Sequence, residues 1–223
     1  RLATGVQWSS PYECGFLAHC QSPEPQAEHP VRWLPRRSQA LKAHIEEHGI
    51  SELRDVPDDL LNPTQQRVKA ATLSGQAFFD QPATAQALAA HKLPGYFIDF
   101  ETIQFGVPLW KGTRPYQQLP FQFSVHRLGR TGRATHQAFL DLSGGNPSLA
   151  FAQSLVAACG ERGPVFVYNA AFETTRIREL AERHPRLATA LRAINDRVVD
   201  LLPIARQHYY HPSQQGSWSI KAV

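Results

Sequence analysis

From Leu93 onward the chain shows three strand-like runs followed by a regular alternation of helix and strand. "GYFIDF" reads as a buried strand, and "LPFQFSVHRLG" alternates Phe121, Phe123 and Val125 with Gln122 and Ser124. "GRTG" at 129–132 marks a turn, with "ATHQAFLDL" as its hairpin partner. "NPSLAFAQSLVAACG" reads as a helix, with Asn146 as cap, Pro147 at its first position and Gly160 as stop. "PVFVYN" is a buried strand, "AAFETTRIRELAERH" and "PRLATALRAIN" are helices, "RVVDL" is a short strand and "LPIARQHYY" a helix. "SWSIKAV" reads as one more, helical, element. Strands first and alternation afterwards predict an α/β fold, a mixed β-sheet flanked by helices.

The preceding residues have a different character. Residues 1–38 are irregular and rich in Ser, Pro and His, and Cys14 and Cys20 lie among them. Residues 39–92 read as a helical linker segment. In "SQALKAHIEEHGI", Ala40, Leu41, Ile45 and Ile50 fall near helical period, and Gly49 is placed to end the helix. "NPTQQRVKAATLSG" offers Asn62 as N-cap, Pro63 at the first helical position and Gly75 beyond the last turn. Residues 93–223 are the expected main domain.

Of the 223 residues 42% are hydrophobic, enough for a sizeable core. No window reaches the roughly 18 consecutive apolar residues of a membrane span, and no leader is seen, so no membrane association and a cytoplasmic location are expected. Three cysteines argue against a disulfide framework. A net charge of +4 leans towards polyanionic partners. The chain opens on Arg1 and contains no Met, so a longer parent protein is expected.

Two acids interrupt the first strand of the main domain. Asp99 and Glu101, at i and i+2, project on one face, with Ile98 and Phe100 on the other. Like charges at that spacing repel, and burial raises their pKa values unless a cation compensates. Hard oxygen ligands suit magnesium or manganese. A third acid, Glu173, falls in the first turn of a helix that follows a buried strand. The helix dipole favours a carboxylate there, and open α/β sheets bind ligands at the carboxyl ends of their strands. Asp200, before a helix with Pro203 in its first turn, reads as an N-cap. His208 and His211 have no partner cysteines nearby, so no zinc site is expected.

D-x-E-T at Asp99, Glu101 and Thr102, then N-x-x-F-E at Asn169, Phe172 and Glu173, then "DLLPIAR" and "SWSIKAV", form an ordered series over residues 93–223. The series resembles the DEDD-type 3′–5′ exonucleases of the ribonuclease H-like fold. More narrowly, it looks like an uncharacterised bacterial family that carries this domain after a RecB-like nuclease domain. The resemblance implies a two-metal-ion hydrolase of phosphodiesters, with two Mg²⁺ or Mn²⁺ ions held by Asp99, Glu101 and Glu173. Such ions activate a water and stabilise the leaving oxygen. The implied substrates are 3′ ends of single-stranded DNA or RNA, and the implied neighbour is an upstream RecB-like nuclease domain in the same longer chain.

Thr102, Asn169, Phe172 and Arg176 are the implied substrate contacts. Phe105 and Tyr116 are further candidates for stacking, and Arg114 and Arg178 for phosphates. The series departs from the family in two places. Glu173 stands where proofreading enzymes have Asp, and the third motif, with its final Asp, is expected beyond Val223. A catalytically inactive nucleic-acid-binding or interaction module of the same fold is the alternative those departures favour. "SPYECGFLAHC" resembles the tail of an iron–sulfur RecB-like nuclease. Cys14 and Cys20 alone fall short of the full set of thiolates, so free thiols are expected unless a cluster draws ligands from elsewhere.

Overall fold

The computed structural model describes residues 12, 14–17 and 27–223. The chain divides into two compact units. One comprises residues 1–78 and 210–223, the other residues 79–209. The chain leaves the first unit at β1 (Phe78–Phe79) and returns at β7 (Tyr209–Tyr210). The acids lie in the unit of residues 79–209.

That unit is built on a five-stranded mixed sheet of order β4-β3-β2-β5-β6, with strands Gly95–Ile103 (β2), Leu119–Leu128 (β3), Ala134–Leu140 (β4), Val165–Val167 (β5) and Val198–Asp200 (β6). β2, β3 and β4 form an antiparallel meander. β5 runs parallel to β2, and β6 parallel to β5. Two-residue periodicity decides which side chains go inside. Ile98 and Phe100 of β2, and Phe123 and Val125 of β3, are buried, while Phe97, Asp99 and Glu101 stay exposed.

The helices of this unit are α3 (Gln81–Leu88), α4 (Ser148–Cys159), α5 (Ala171–Arg183), α6 (Ala188–Asn195) and α7 (Leu201–His208). Of these, α4, α5 and α6 bury an apolar cluster with the strands. Phe151 of α4 is fully buried and presents its ring edge-on to Phe100, Phe123 and Phe139, with centroids 5.1, 5.3 and 5.8 Å away. Ile177 and Leu180 of α5 and Leu191 and Ile194 of α6 complete the cluster. Removing so central a ring costs about 3–5 kcal/mol in well-packed cores.

One glycine is essential to the turn before β5. Gly163 has φ +98, and a Cβ added there would lie 2.0 Å from the Pro94 carbonyl oxygen. Backbone cannot yield as a flexible side chain could. Gly163→Ala is therefore expected to lower the unfolding free energy by about 3 kcal/mol, from the positive φ and the overlap together. A urea midpoint unchanged from the wild type would refute this.

In the other unit, α1 (Gln39–Glu47) is capped by Ser38, whose hydroxyl accepts from the Leu41 N–H at 3.2 Å. Leu41 and Ile45 bury against Leu34, Leu53, Val56 and Leu61. α2 (Pro63–Ser74) starts with the reciprocal capping box of Asn62 and Gln65 and ends at Gly75, φ +71. Residues 210–223 belong here because Tyr210 is fully buried, meets Thr72 Oγ1 at 3.1 Å and packs on Trp218.

Three local expectations are corrected. "SWSIKAV" forms only turns, because the Trp218 side chain is buried while Ile220 is left exposed, so no helical stripe exists to bury. "PRLATALRAIN" is not one helix: Pro185–Leu187 forms a 3₁₀ turn and α6 begins at Ala188. At α4 the cap position is Pro147, while Asn146 Oδ1 accepts from the Ser148 N–H at 3.0 Å.

Candidate functional site

The register of β2, β5 and β6 sets the site. Phe97 pairs with Phe166 across β2 and β5, and Val167 pairs with Asp200 across β5 and β6. Asp99, two residues beyond Phe97, therefore sits level with Tyr168, where β5 turns into α5. Three adjacent parallel strands thus deliver Asp99, the Tyr168–Ala170 turn and Asp200 to one carboxyl edge of the sheet, the edge at which open α/β sheets bind ligands. A register shift between Glu101 and Thr102 opposite β3 marks a bulge at the same level.

Glu173 lies in the first turn of α5 and is only 5% exposed. Its Oε2 atom is buried and has no hydrogen-bond partner. Burial, followed by the negative charges of Asp99 and Asp200, pushes its carboxyl up to about 7. Glu173 and Asp99 thus share one electrostatic neighbourhood. Glu101 shares the exposed face of β2 with Asp99, but the charges acting on Glu173 are those of Asp99 and Asp200. Among the described residues no group of three or more His, Cys, Asp and Glu side chains is arranged to hold a metal ion.

Asp200 fulfils its expected capping role and adds one that sequence reasoning missed. Its Oδ1 accepts from the Leu202 N–H at 3.0 Å, capping α7, and from the Asn169 N–H at 2.9 Å. Its Oδ2 accepts from the Ala170 N–H at 3.0 Å. One carboxylate therefore ties the end of β6 to the turn that aims Glu173. An Asp ahead of a helix signals a cap in any sequence; its second grip depends on β5 and β6 being neighbours. Asp200→Ala is expected to lose about 2 kcal/mol or more, because three charge-assisted bonds go. It should also lower the Glu173 pKa by removing a neighbouring charge. An unshifted Glu173 titration in carbon-detected NMR would contradict this.

The other predicted contacts are placed unevenly. Thr102 is half-buried at the bulge, and Asn169 is exposed with φ +72, the left-handed conformation an Asn tolerates best after Gly. Phe172 is half-buried against the core, with the Arg176 guanidinium 5.7 Å from its ring centre. Arg176 is not a free cation. It donates to Gln118 Oε1 and, at 3.2 Å, to Glu179 Oε1. Arg114 lies 3.6 Å from Glu179, and Arg178 is exposed. Phe105 packs edge-on to Trp110, and Tyr116 is 72% exposed.

Cys14 is a half-buried free thiol, and Cys20 lies outside the described residues. Cys159 is fully buried, and burial pushes its thiol up to about 12, which makes it inert. His211 caps the turn Pro212–Gln214. No helix among the described residues is long and apolar enough to cross a membrane.

Neither the curated proteins nor the solved structures contain a match to this chain. One family model does match, over residues 96–219, from the second residue of β2 to just past the buried Trp218. That stretch holds all three acids of the carboxyl edge and covers more than half of the chain. The chain belongs to the family described as a domain of unknown function, DUF2779.

Proposed function

We propose that this chain is a metal-dependent 3′–5′ exonuclease domain of ribonuclease H-like type, acting on single-stranded DNA or RNA ends in the cytoplasm alongside a RecB-like nuclease in the same longer protein. The observation that carries the reading is Glu173. A buried carboxylate oxygen without a partner, raised by two neighbouring acids, is costly to ionise near neutral pH unless a cation lies beside it. The donor set is all oxygen, which suits Mg²⁺ or Mn²⁺. Asp99 and Glu173 would hold the ions, with Glu101 reaching in from the next exposed position of β2. When bound, the ions supply charge neutralisation and an activated water for phosphodiester hydrolysis.

The chain's own residues supply the rest. Asp200 holds the Asn169–Ala170 turn and so fixes where Glu173 points. The loop after β2 leaves the same edge and exposes Tyr116, Val107 and Leu109, an apolar surface on which unpaired bases can rest. Arg176 sits against Phe172 and keeps its guanidinium close to the first turn of α5.

A second reading, a nucleic-acid-binding module without catalysis, is favoured by one observation. Asp99, Glu101 and Glu173 do not form a ready three-carboxylate group as the side chains stand. One experiment separates the two. A 5′-labelled single strand incubated with full-length protein and Mn²⁺ should give a ladder shortened from the 3′ end, stopped by EDTA. Retarded but intact strand supports the binding module. Neither shortening nor retardation sinks both.

A further inference from the structure

The far end of the β3–β4 hairpin carries a basic cavity away from the acids. The strands join through a tight turn, in which the Gly129 N–H donates to the Arg133 carbonyl at 2.8 Å and the Gly132 N–H to the Gly129 carbonyl at 3.0 Å. Arg127, Arg130, Thr131, Arg133 and Thr135 line a cavity of about 440 Å³ here. Arg127 pairs in register with Thr135 and with Tyr96, three residues before Asp99 on β2. At about 3.3 Å per residue the cavity begins roughly 10 Å from Asp99, towards the amino end of β2. By strand alternation Arg127 shares the face of the buried Val125, whereas Asp99 lies on the other face. The cavity is therefore no part of the acid site.

Its charge is one-sided. Residues 102–140 contain five Lys and Arg and no Asp or Glu, and among the described residues no acid lines the cavity. The Arg127 and Arg133 side chains are exposed and have no partner among the described residues. Arg130 is exposed too, and its Nε donates to the Leu93 carbonyl at 3.2 Å, which fixes the hairpin tip against the chain entering β2. Guanidiniums gathered without a carboxylate repel one another, and an anion relieves that repulsion. Their planar forks match phosphate oxygens, and the two Thr hydroxyls add donors.

We infer that this hairpin cavity is a binding site for the phosphodiester backbone of a nucleic acid, separate from the acid edge. Three arginines spread along a hairpin suit successive phosphates of a strand better than one free phosphate ion. A membrane surface suits them less, because among the described residues no large apolar side chain is exposed between positions 117 and 139 to enter the acyl boundary. Nucleic acid as the partner rests on the proposed function; the convergence of the three arginines does not.

Binding is measured in EDTA, so that no cleavage is required. A fluorescein-labelled single strand of about twenty nucleotides is titrated with full-length protein by anisotropy over a range of salt. Arg127→Gln/Arg133→Gln should weaken binding about tenfold and lower the slope of log affinity against log salt by about 1.4, since each phosphate contact on a single strand contributes about 0.7. Its melting temperature should not move, because both side chains are exposed and unpartnered. Arg127→Lys/Arg133→Lys should restore the slope. Arg186→Gln/Arg192→Gln removes the same charge from exposed positions on the turn Pro185–Leu187 and on α6, and should change affinity less than about twofold. Equal loss in both glutamine doubles, or no binding in EDTA, overturns the inference. So does displacement of the strand by inorganic phosphate at matched ionic strength, or tighter binding to phosphatidylserine vesicles than to the strand. Loss confined to Arg127→Gln/Arg133→Gln upholds the site, even where Mn²⁺-dependent shortening is absent and the exonuclease reading falls.

Discussion

Asp99→Asn is expected to slow manganese-dependent shortening of a single strand at least about a thousandfold, equivalent to roughly 4 kcal/mol of transition-state stabilisation, while barely moving the melting temperature. The two halves of that expectation have separate causes. Asp99 lies on the exposed face of β2, so asparagine removes neither buried area nor a core contact. The backbone neighbours Ile98 and Phe100 stay in the core. Asparagine nevertheless presents a neutral amide where a hard divalent ion seeks an anionic oxygen. It also removes one of the charges that raise the Glu173 carboxyl. A variant that digests as fast as the wild type, with unchanged melting, would remove Asp99 from the chemistry and the exonuclease proposal with it.

The second large effect concerns stability. Glu173→Gln should raise the melting temperature at pH 8 and leave it nearly unchanged at pH 4. The sign follows from linkage. Burial pushes the native carboxyl up to about 7 from its ordinary 4.5, so between those values the folded state binds the proton more tightly than the unfolded one. Stability conferred by the neutral form is complete below 4.5 and is lost as pH rises through about 7. Each pKa unit is worth about 1.4 kcal/mol, so the difference is on the order of 3–4 kcal/mol above pH 7. For a chain of this size that is roughly 5–10 °C of melting temperature. Glutamine, always neutral, escapes the loss.

On the proposed function, divalent ions should narrow that gap. With Mn²⁺ at a hundredfold excess over its dissociation constant, the wild type should gain about 2.7 kcal/mol of stability. The glutamine variant should gain less. Calorimetric scans at pH 4 and pH 8, with and without Mn²⁺, make both comparisons. Parallel pH profiles for the two proteins would show that Glu173 is not buried with a raised carboxyl. An equal response to Mn²⁺ would show that it is not a ligand.

How legible was all this in the sequence? The meander was plain, since β2 and β3 alternate buried and exposed residues. So was α2, whose start and stop are written in Asn62, Pro63, Gln65 and Gly75. Signals of that kind act within a few residues and need no partner. Where the burial of a face depends on distant chain, reading along the sequence failed. "SWSIKAV" has helix formers but only Trp218 finds a pocket, and its residues fold back with Tyr210. Nothing local in the sequence reveals that Arg176 donates to Gln118, a partner far along the chain.

The acids divide in the same way. Their identities, the shared face of Asp99 and Glu101, the first-turn position of Glu173 and the capping role of Asp200 are properties of one strand or one helix end, and periodicity and capping chemistry determine them. The strand order β2-β5-β6 decided the rest: that Glu173 is buried, that Asp99 and Asp200 raise its carboxyl, and that Asp200 grips the Asn169–Ala170 turn. Desolvation and Coulomb repulsion depend on distance in space, and only the packed sheet brings residues so far apart along the chain within that range.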